Sequence, residues 1–171
     1  MSAPRQPFDP YAILTALEHQ RVAYVLIGGF ARVIQGTDEL THGLDLTPSL
    51  RAENLHRLTL ALAELDAERA DGQTLALDEA TIREHRLIAF RSPAGELKLV
   101  PQPAGTRGGY DDLRRAATRE PLGKGLRPRV ASLADLARML AALGREQDLP
   151  PLQQLRYLRE LEHGLSHGLE R

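Results

Sequence analysis

Apolar residues recur along this chain with two different periods, and the periods predict where helices and strands lie. A spacing of three to four residues, typical of a helix with one buried face, begins after Asp9 and Pro10 and returns between Ala52 and Leu65. Between these helices, the almost wholly apolar run AYVLIGG predicts a strand buried on both faces. Two glycines and a short helix ending at Gly36 follow that strand.

The next apolar segment, GLDLTPS, predicts a second strand that presents one acidic side chain. Leu44 and Leu46 alternate with Asp45, so the two leucines share one face of the strand and Asp45 points to the other. Pro48 ends the strand because proline cannot donate a hydrogen bond to a sheet. We therefore expect an acid to be presented from a rigid strand beside the glycine turn.

A predicted hairpin supplies further polar side chains. The segment HRLIAFRSPAGELKLVPQ has the pattern of two strands joined by a Pro-Ala-Gly turn. On the second of these strands Leu97 and Leu99 share one face, and Glu96 and Lys98 share the other. Lys98 is thus predicted to face the way an active-site acid would.

The C-terminal part is predicted to be mainly helical. After a strand at Leu126–Val130, Ser132 followed by Asp135 resembles a capping box, and the helix it begins ends at Gly144. A last helix is predicted from about Pro151, with leucines at helical spacing that indicate core packing.

His163 and His167 have the spacing of a helical metal pair. Gly164 lies between them and is expected to interrupt the helix, so we assign these histidines no metal.

The mixed order of helices and strands predicts an α+β fold, in which helices pack on a mixed sheet and the C-terminal part is helical. Residues 1–125 are expected to form the core domain. Residues 126–171 are expected to form a C-terminal strand and helical part that packs on this core as one unit.

Composition narrows the classes of function. The chain has no cysteine, which excludes disulfides, thiolate zinc sites and cysteine nucleophiles. Its first residues contain no apolar run that would act as a signal peptide or membrane span, so we expect a cytoplasmic protein that does not engage membranes.

Charge argues against a strongly basic nucleic-acid binder, since the formal net charge is -1. Lys98 and Lys124 are the only lysines, however, and arginine suits phosphate recognition. Phosphate contacts therefore remain open for local arginine clusters such as Arg107, Arg114, Arg115 and Arg119.

The stretch YVLIGGFARVIQGTDELTHGLDLTPS carries a more specific signal. A Gly-Gly turn, a helix ending in glycine and then a T-x-[acid]-x-D strand are the signature of the nucleotidyltransferase (polymerase β-like) superfamily. The stretch resembles the minimal bacterial members of that superfamily, the AbiEii-like toxin group. The likeness continues through PAGELKLV and RVASLADLARMLAALGREQDL and spans roughly residues 13–155.

The resemblance implies a magnesium-dependent site from which this chain departs. In such enzymes three acids on two neighbouring strands hold two magnesium ions that bind a nucleoside triphosphate. Here the turn glycines fall on Gly28 and Gly29 and the second acid on Asp45, the residual catalytic acid. The first and third acid positions are Gly43 and Lys98, and the position aligned with a phosphate-binding lysine is Leu140.

These departures favour a pseudoenzyme that has lost metal-dependent nucleotidyl transfer and acts by binding a nucleotide, an RNA or a protein partner, the last as in toxin–antitoxin pairs. No cofactor is then expected. The alternative is an active, toxin-like nucleotidyltransferase that transfers a nucleotide to an RNA or protein hydroxyl. It would use magnesium held by displaced carboxylates, with Asp38, Glu39 or Glu96 assisting Asp45.

Overall fold

The computed structural model describes the backbone of residues 7–169 and the side chains of residues 7–165. The helices are α1 (Pro10–His19), α2 (Gly28–Gln35), α3 (Ala52–Glu64), α4 (Glu79–Arg83), α5 (Tyr110–Leu113), α6 (Leu133–Leu143) and α7 (Leu149–Leu169). The strands are β1 (Tyr24–Ile27), β2 (Gly43–Pro48), β3 (Glu68–Arg69), β4 (Ile88–Ser92), β5 (Gly95–Leu99), β6 (Thr118–Arg119) and β7 (Arg129–Val130). The α+β class expected from the sequence is confirmed.

The strands form one mixed sheet in the order β3-β4-β5-β2-β1-β7-β6. Its centre is the antiparallel pair β1–β2, flanked by the parallel pairs β2–β5 and β1–β7. The hairpin β4–β5 lies beyond β2, and its turn consists of Pro93 and Ala94. This order puts β2, which carries the predicted acid, directly between the glycine-ended strand and the strand of Lys98.

The helix caps of α1 and α6 and the burial of β1 agree with the predictions from the sequence. Asp9 accepts a hydrogen bond from the Ala12 amide at 3.2 Å, and Ser132 accepts one from the Asp135 amide at 3.0 Å. Gly144 ends α6 in the left-handed conformation, with φ 62°. All four residues of β1 are buried, as the apolar run predicts.

The helices pack around the sheet in a way that frames one end of β1. Helix α1 packs on α3, whereas α2 packs on both β2 and α6, and α6 packs on α7. The largest fully buried side chains include Phe90, Ile13, Leu26 and Leu44. The space between α2, α6 and the strands β2 and β5 is left for the site described below.

Two predictions for the last helix are wrong. Helix α7 continues through Gly164, because a single glycine in a long helix costs only about 1 kcal/mol. The leucine stripe is buried at Leu152 and Leu155, but Leu161 is 46% exposed and Leu165 72% exposed. The side chain of His167 lies outside the described residues.

Four short elements were not predicted, namely β3, α4, β6 and the 3₁₀ turn at Glu146–Asp148. The C-terminal strand is also shorter than expected, since β7 covers two residues and Leu126 contributes only a bridge to Gly123. Among the described residues, no helix has the length and apolar character needed to cross a membrane.

Candidate functional site

A cleft of about 300 Å³ opens at the end of β1, where the chain turns into α2. Gly28 and Gly29 form the first turn of α2, so the helix begins immediately after the strand. The polar side chains that line the cleft are Arg32, Asp45, Lys98 and Arg145. The site is therefore assembled by β1, β2, β5 and the two helices α2 and α6.

Position 28 requires a glycine, because of both its backbone conformation and the atoms around it. Its φ is +73°, which residues with a side chain rarely adopt, and a Cβ atom added there would lie 2.5 Å from Oδ2 of Asp45. The carboxylate of Asp45 thus packs directly against the backbone at the start of α2. The predicted meeting of glycine turn and acid is present in the structure.

Lys98 lies beside Asp45 because β2 and β5 run parallel in register. Asp45 pairs with Lys98, and two residues earlier Gly43 pairs with Glu96. The Lys98 ammonium is 3.8 Å from Oε1 of Glu96, and both side chains are nearly half exposed. Lys98 is therefore the residue paired across the strands with Asp45, the only acid on β2.

Gly43 is a sterically closed position. A Cβ atom there would lie 2.8 Å from the backbone oxygen of Glu96 and 3.2 Å from its Cβ atom. A carboxylate at position 43, where the resemblance places the first acid, would need β2 and β5 to move apart.

The carboxylate of Asp45 is in an unfavourable environment for a charge. Burial raises the pKa of Asp45 above its usual range, and Lys98 and Arg32 offset this only in part. None of the hydrogen bonds among the described residues reaches this carboxylate. The carboxylate thus packs against the α2 glycine turn, and Lys98 and Arg32 act on it electrostatically from beyond ion-pair distance.

The acids proposed as substitutes are engaged elsewhere. Glu39 accepts bonds from Arg32 at 2.7 and 2.8 Å and a further bond from the Thr37 hydroxyl at 2.7 Å. Asp38 accepts a bond from the Gln154 amide at 2.6 Å. Glu96 is the one of the three that shares a face with Asp45's neighbour Lys98.

Helix α6 gives the cleft an apolar wall formed by Leu136, Met139, Leu140 and Leu143. Leu140, at the position where the resemblance implies a phosphate-binding lysine, is 2% exposed. Just beyond the helix Arg145 reaches the cleft, and Asp148 holds it through bonds of 2.5 and 3.0 Å. The wall therefore contributes apolar surface, with a cation at its end.

The magnesium ions that the fold implies do not fit this donor set. Hard cations need several oxygen ligands, whereas this cleft offers one desolvated carboxylate flanked by a lysine and an arginine. Across the described part of the chain, no three His, Cys, Asp or Glu side chains are arranged to hold a metal ion.

The structure thus gathers Gly28, Gly29, Asp45, Lys98 and Leu140 around one cleft, with Gly43 in an adjoining depression. Sequence reasoning missed Arg32 and Arg145. Arg32 lies four residues after Gly28, and helical spacing would have placed it on the same face. No local sequence pattern identifies Arg145, which reaches the cleft only because α6 packs beside it.

Comparisons with solved structures agree with this architecture. The antibiotic-resistance factor ANT(2'')-Ia is 14% identical, with a TM-score of 0.56 over 94% of this chain and 92% of its own. The lincosamide antibiotic adenylyltransferase LnuA, solved with lincomycin bound, is 15% identical, with a TM-score of 0.60 over 89% and 99%. No protein-family model matches the sequence, and no curated protein matches it.

Identities this low establish the architecture and leave the activity to be argued from the site. The likeness covers most of this chain and most of each of the two solved structures. The chain has the nucleotidyltransferase fold.

Proposed function

We propose that this protein binds a nucleotide in the cleft without a divalent metal and has given up metal-dependent nucleotidyl transfer. The observation that carries the proposal is the parallel register of β2 and β5, which pairs Lys98 with Asp45 so that both residues line the cleft. In that position a lysine supplies the positive charge that magnesium supplies in the active enzymes. The phosphates of a nucleotide would bind to the protein directly.

The charge of the cleft supports this reading. The residues described along its lining include one acid, Asp45, and three cations. Glu39 and Asp148 neutralise Arg32 and Arg145, and Lys98 keeps only a 3.8 Å contact to Glu96. Lys98 is therefore the cation most available to an incoming phosphate.

Backbone amides and apolar side chains of the cleft supply the other contacts that a nucleotide needs. Gly28 and Gly29 open the N-terminus of an eight-residue helix, where free amides and the helix dipole favour an anion. The side chains of Leu87 and Leu143, which line the cleft and are each 48% exposed, offer an apolar surface on which a base would pack. An anionic head and an apolar body are the two parts of a nucleotide.

Replacing Lys98 tests the proposal. Lys98→Met should raise the Kd for nucleoside triphosphates about tenfold in EDTA, since a charge-assisted bond is lost. Lys124→Met is the matched control, because it removes the only other lysine, whose ammonium lies 4.5 Å over the ring of Tyr11. Equal weakening by both variants, or no binding by the unmodified protein, would overturn the proposal.

An active enzyme with displaced acids is the second candidate, favoured by the position of Glu96 beside Gly43. It requires Glu96 to join Asp45 in holding magnesium. Incubation with labelled nucleotide and bulk RNA separates the two candidates, because transfer of label that stops in Glu96→Gln would establish the enzyme.

The finer resemblance, to AbiEii-like toxins, fits a pseudoenzyme that has kept the scaffold of such a toxin. Under this proposal an RNA or protein partner binds at the cleft when the cleft holds a nucleotide. Affinity capture with and without saturating nucleotide would test this, and capture indifferent to nucleotide would contradict it.

A further inference from the structure

A second concave region lies at the opposite end of β1 from Gly28. Three adjoining depressions of about 210, 280 and 300 Å³ meet around Ala23, Ser49 and Tyr110. We call them together the arginine groove. Because β1 and β2 are antiparallel, the groove lies where β1 begins and β2 ends, away from Asp45.

The groove is strongly basic in a chain whose net charge is -1. Seven arginines and four acidic side chains line it, which gives the groove a net charge of +3. Three of these arginines pair with acids within the groove, as Arg57–Glu53, Arg83–Glu79 and Arg114–Asp111. The other four, Arg21, Arg51, Arg119 and Arg129, form no ion pair with any residue that the structure describes.

Two of the unpaired arginines face each other across a strand pair. Arg119 on β6 is directly opposite Arg129 on β7 in the antiparallel register. Like charges in such positions destabilise a sheet. Glu18, the one acid among the described residues that line this depression, accepts a bond from the Tyr24 hydroxyl at 3.3 Å. The pair is therefore a site at which a bound anion would relieve repulsion.

The floor of the groove is rigidly held. The buried side chain of Asn54 accepts a bond from the Ala23 amide at 2.7 Å and donates to the oxygens of Ala23 and Ser49 at 2.9 and 2.8 Å. These bonds tie the start of β1 and the end of β2 to α3. The arginines thus project from fixed backbone, which lowers the cost of ordering them around a ligand.

One aromatic ring lies where two of the depressions join. Tyr110 lines both and is half-buried, and its hydroxyl is 3.4 Å from Nη1 of Arg129. A ring beside several arginines is the combination that binds single-stranded nucleic acid, in which phosphates contact the cations and a base stacks on the ring.

We propose that the arginine groove binds a short single-stranded RNA, with its phosphates on the unpaired arginines and a base against Tyr110. This site is separate from the cleft at Gly28. It does not depend on what the cleft binds, so either site can fail without the other.

The test is fluorescence anisotropy with a labelled oligouridine of about ten nucleotides, within the range that one such groove covers. Arg51→Ala combined with Arg119→Ala should raise its Kd at least about tenfold and flatten the salt dependence by about 1.4 in log–log slope, for two lost phosphate contacts. The matched control combines Arg86→Ala with Arg156→Ala, two exposed arginines outside the groove.

A loss confined to the groove variant would support the site. Equal losses in both double variants would show attraction by overall charge and overturn it, as would the absence of oligouridine binding by the unmodified protein at low salt.

Variants of Tyr110 test whether the groove distinguishes RNA from other polyanions. Tyr110→Leu should weaken oligouridine binding and leave inorganic polyphosphate binding unchanged, whereas Tyr110→Phe, which keeps the ring, should preserve both. Circular dichroism confirms that each variant is folded. Equal effects of the leucine variant on both ligands would mean that the groove recognises charge alone, contrary to the proposal.

Discussion

Asp45 is an acidic side chain held where its negative charge is unfavourable. Its carboxylate has no hydrogen-bond donor among the described residues, and it packs against Gly28. Burial raises the pKa of Asp45 because the charged form loses its hydration. A side chain kept in such surroundings opposes folding, which is common at functional sites and rare elsewhere.

Asp45→Asn should therefore stabilise the protein. Removing the desolvated charge is expected to add about 0.5–1 kcal/mol near neutral pH, which raises Tm by about 1–4 °C in a chain of this size. The stabilisation should be full above the raised pKa of Asp45, where the aspartate is charged in both the folded and the unfolded protein. It should disappear as the pH falls below the ordinary value of 3.8, where the aspartate is protonated in both states. Thermal melts across this pH range would measure it.

Asp112 is the matched control. The Arg107 amide donates to it at 2.9 Å and Arg138 at 3.2 Å, and these bonds lower the pKa of Asp112. Asp112→Asn should accordingly lower Tm near neutral pH, and the difference should disappear as acid protonates the aspartate. A lower Tm for Asp45→Asn as well would contradict the account of the site.

At the scale of elements, the contact between β2 and β5 decides what the site can be. Gly43 lets the two strands approach so closely that no side chain fits between them. Glu96 and Lys98 are consequently held on a strand that packs closely against Gly43. An acid at position 43 would therefore require a shift of the sheet as well as a new side chain.

Gly43→Ala should destabilise the protein by about 1–3 kcal/mol, because the added methyl group meets the Glu96 backbone. Gly164→Ala is the opposite case: nothing lies within 4 Å of its added methyl group, and alanine favours α7 by up to about 1 kcal/mol. Urea denaturation of the two variants compares them. Unchanged stability of Gly43→Ala would show that the strands yield easily.

The elements that sequence predicts are those with a sustained period. Strand β1 is a continuous apolar run, β2 and β5 alternate, and α6 has a cap at each end. Strands β3 and β6 are two residues long and carry no period, so only tertiary pairing defines them.

The same limit applies to the candidate site. Gly28, Asp45 and Lys98 follow from a turn and two alternating strands. The bond between Arg32 and Glu39 requires the loop after α2 to fold back, and Arg145 enters from a helix more than a hundred residues away. Sequence patterns describe one element at a time, so contacts between distant elements stay hidden.

At the scale of the whole molecule, the two ends of β1 carry different chemistry. One end holds the cleft with Lys98 and the apolar wall of α6, and the other holds the arginine groove. Both are lined by cations. Under the proposed function, fixed positive charge in the cleft takes the place of a metal ion.

Restoring an acid should reverse this replacement in part. Lys98→Asp puts a second carboxylate in register with Asp45, and we expect it to create measurable Mg²⁺ or Mn²⁺ affinity by calorimetry. Lys124→Asp makes the same charge change away from the cleft and should bind neither ion. Equal affinities of the two variants for these ions would mean that one added carboxylate does not create a metal site in the cleft.

The most direct test of the central claim is calorimetric titration of the unmodified protein with ATP, CTP, GTP and UTP, each in magnesium and in EDTA. Our account predicts that at least one nucleotide binds, with the same affinity in both buffers, and that labelled nucleotide is not transferred to RNA or protein. Binding that requires magnesium, accompanied by transfer of the label, would contradict it.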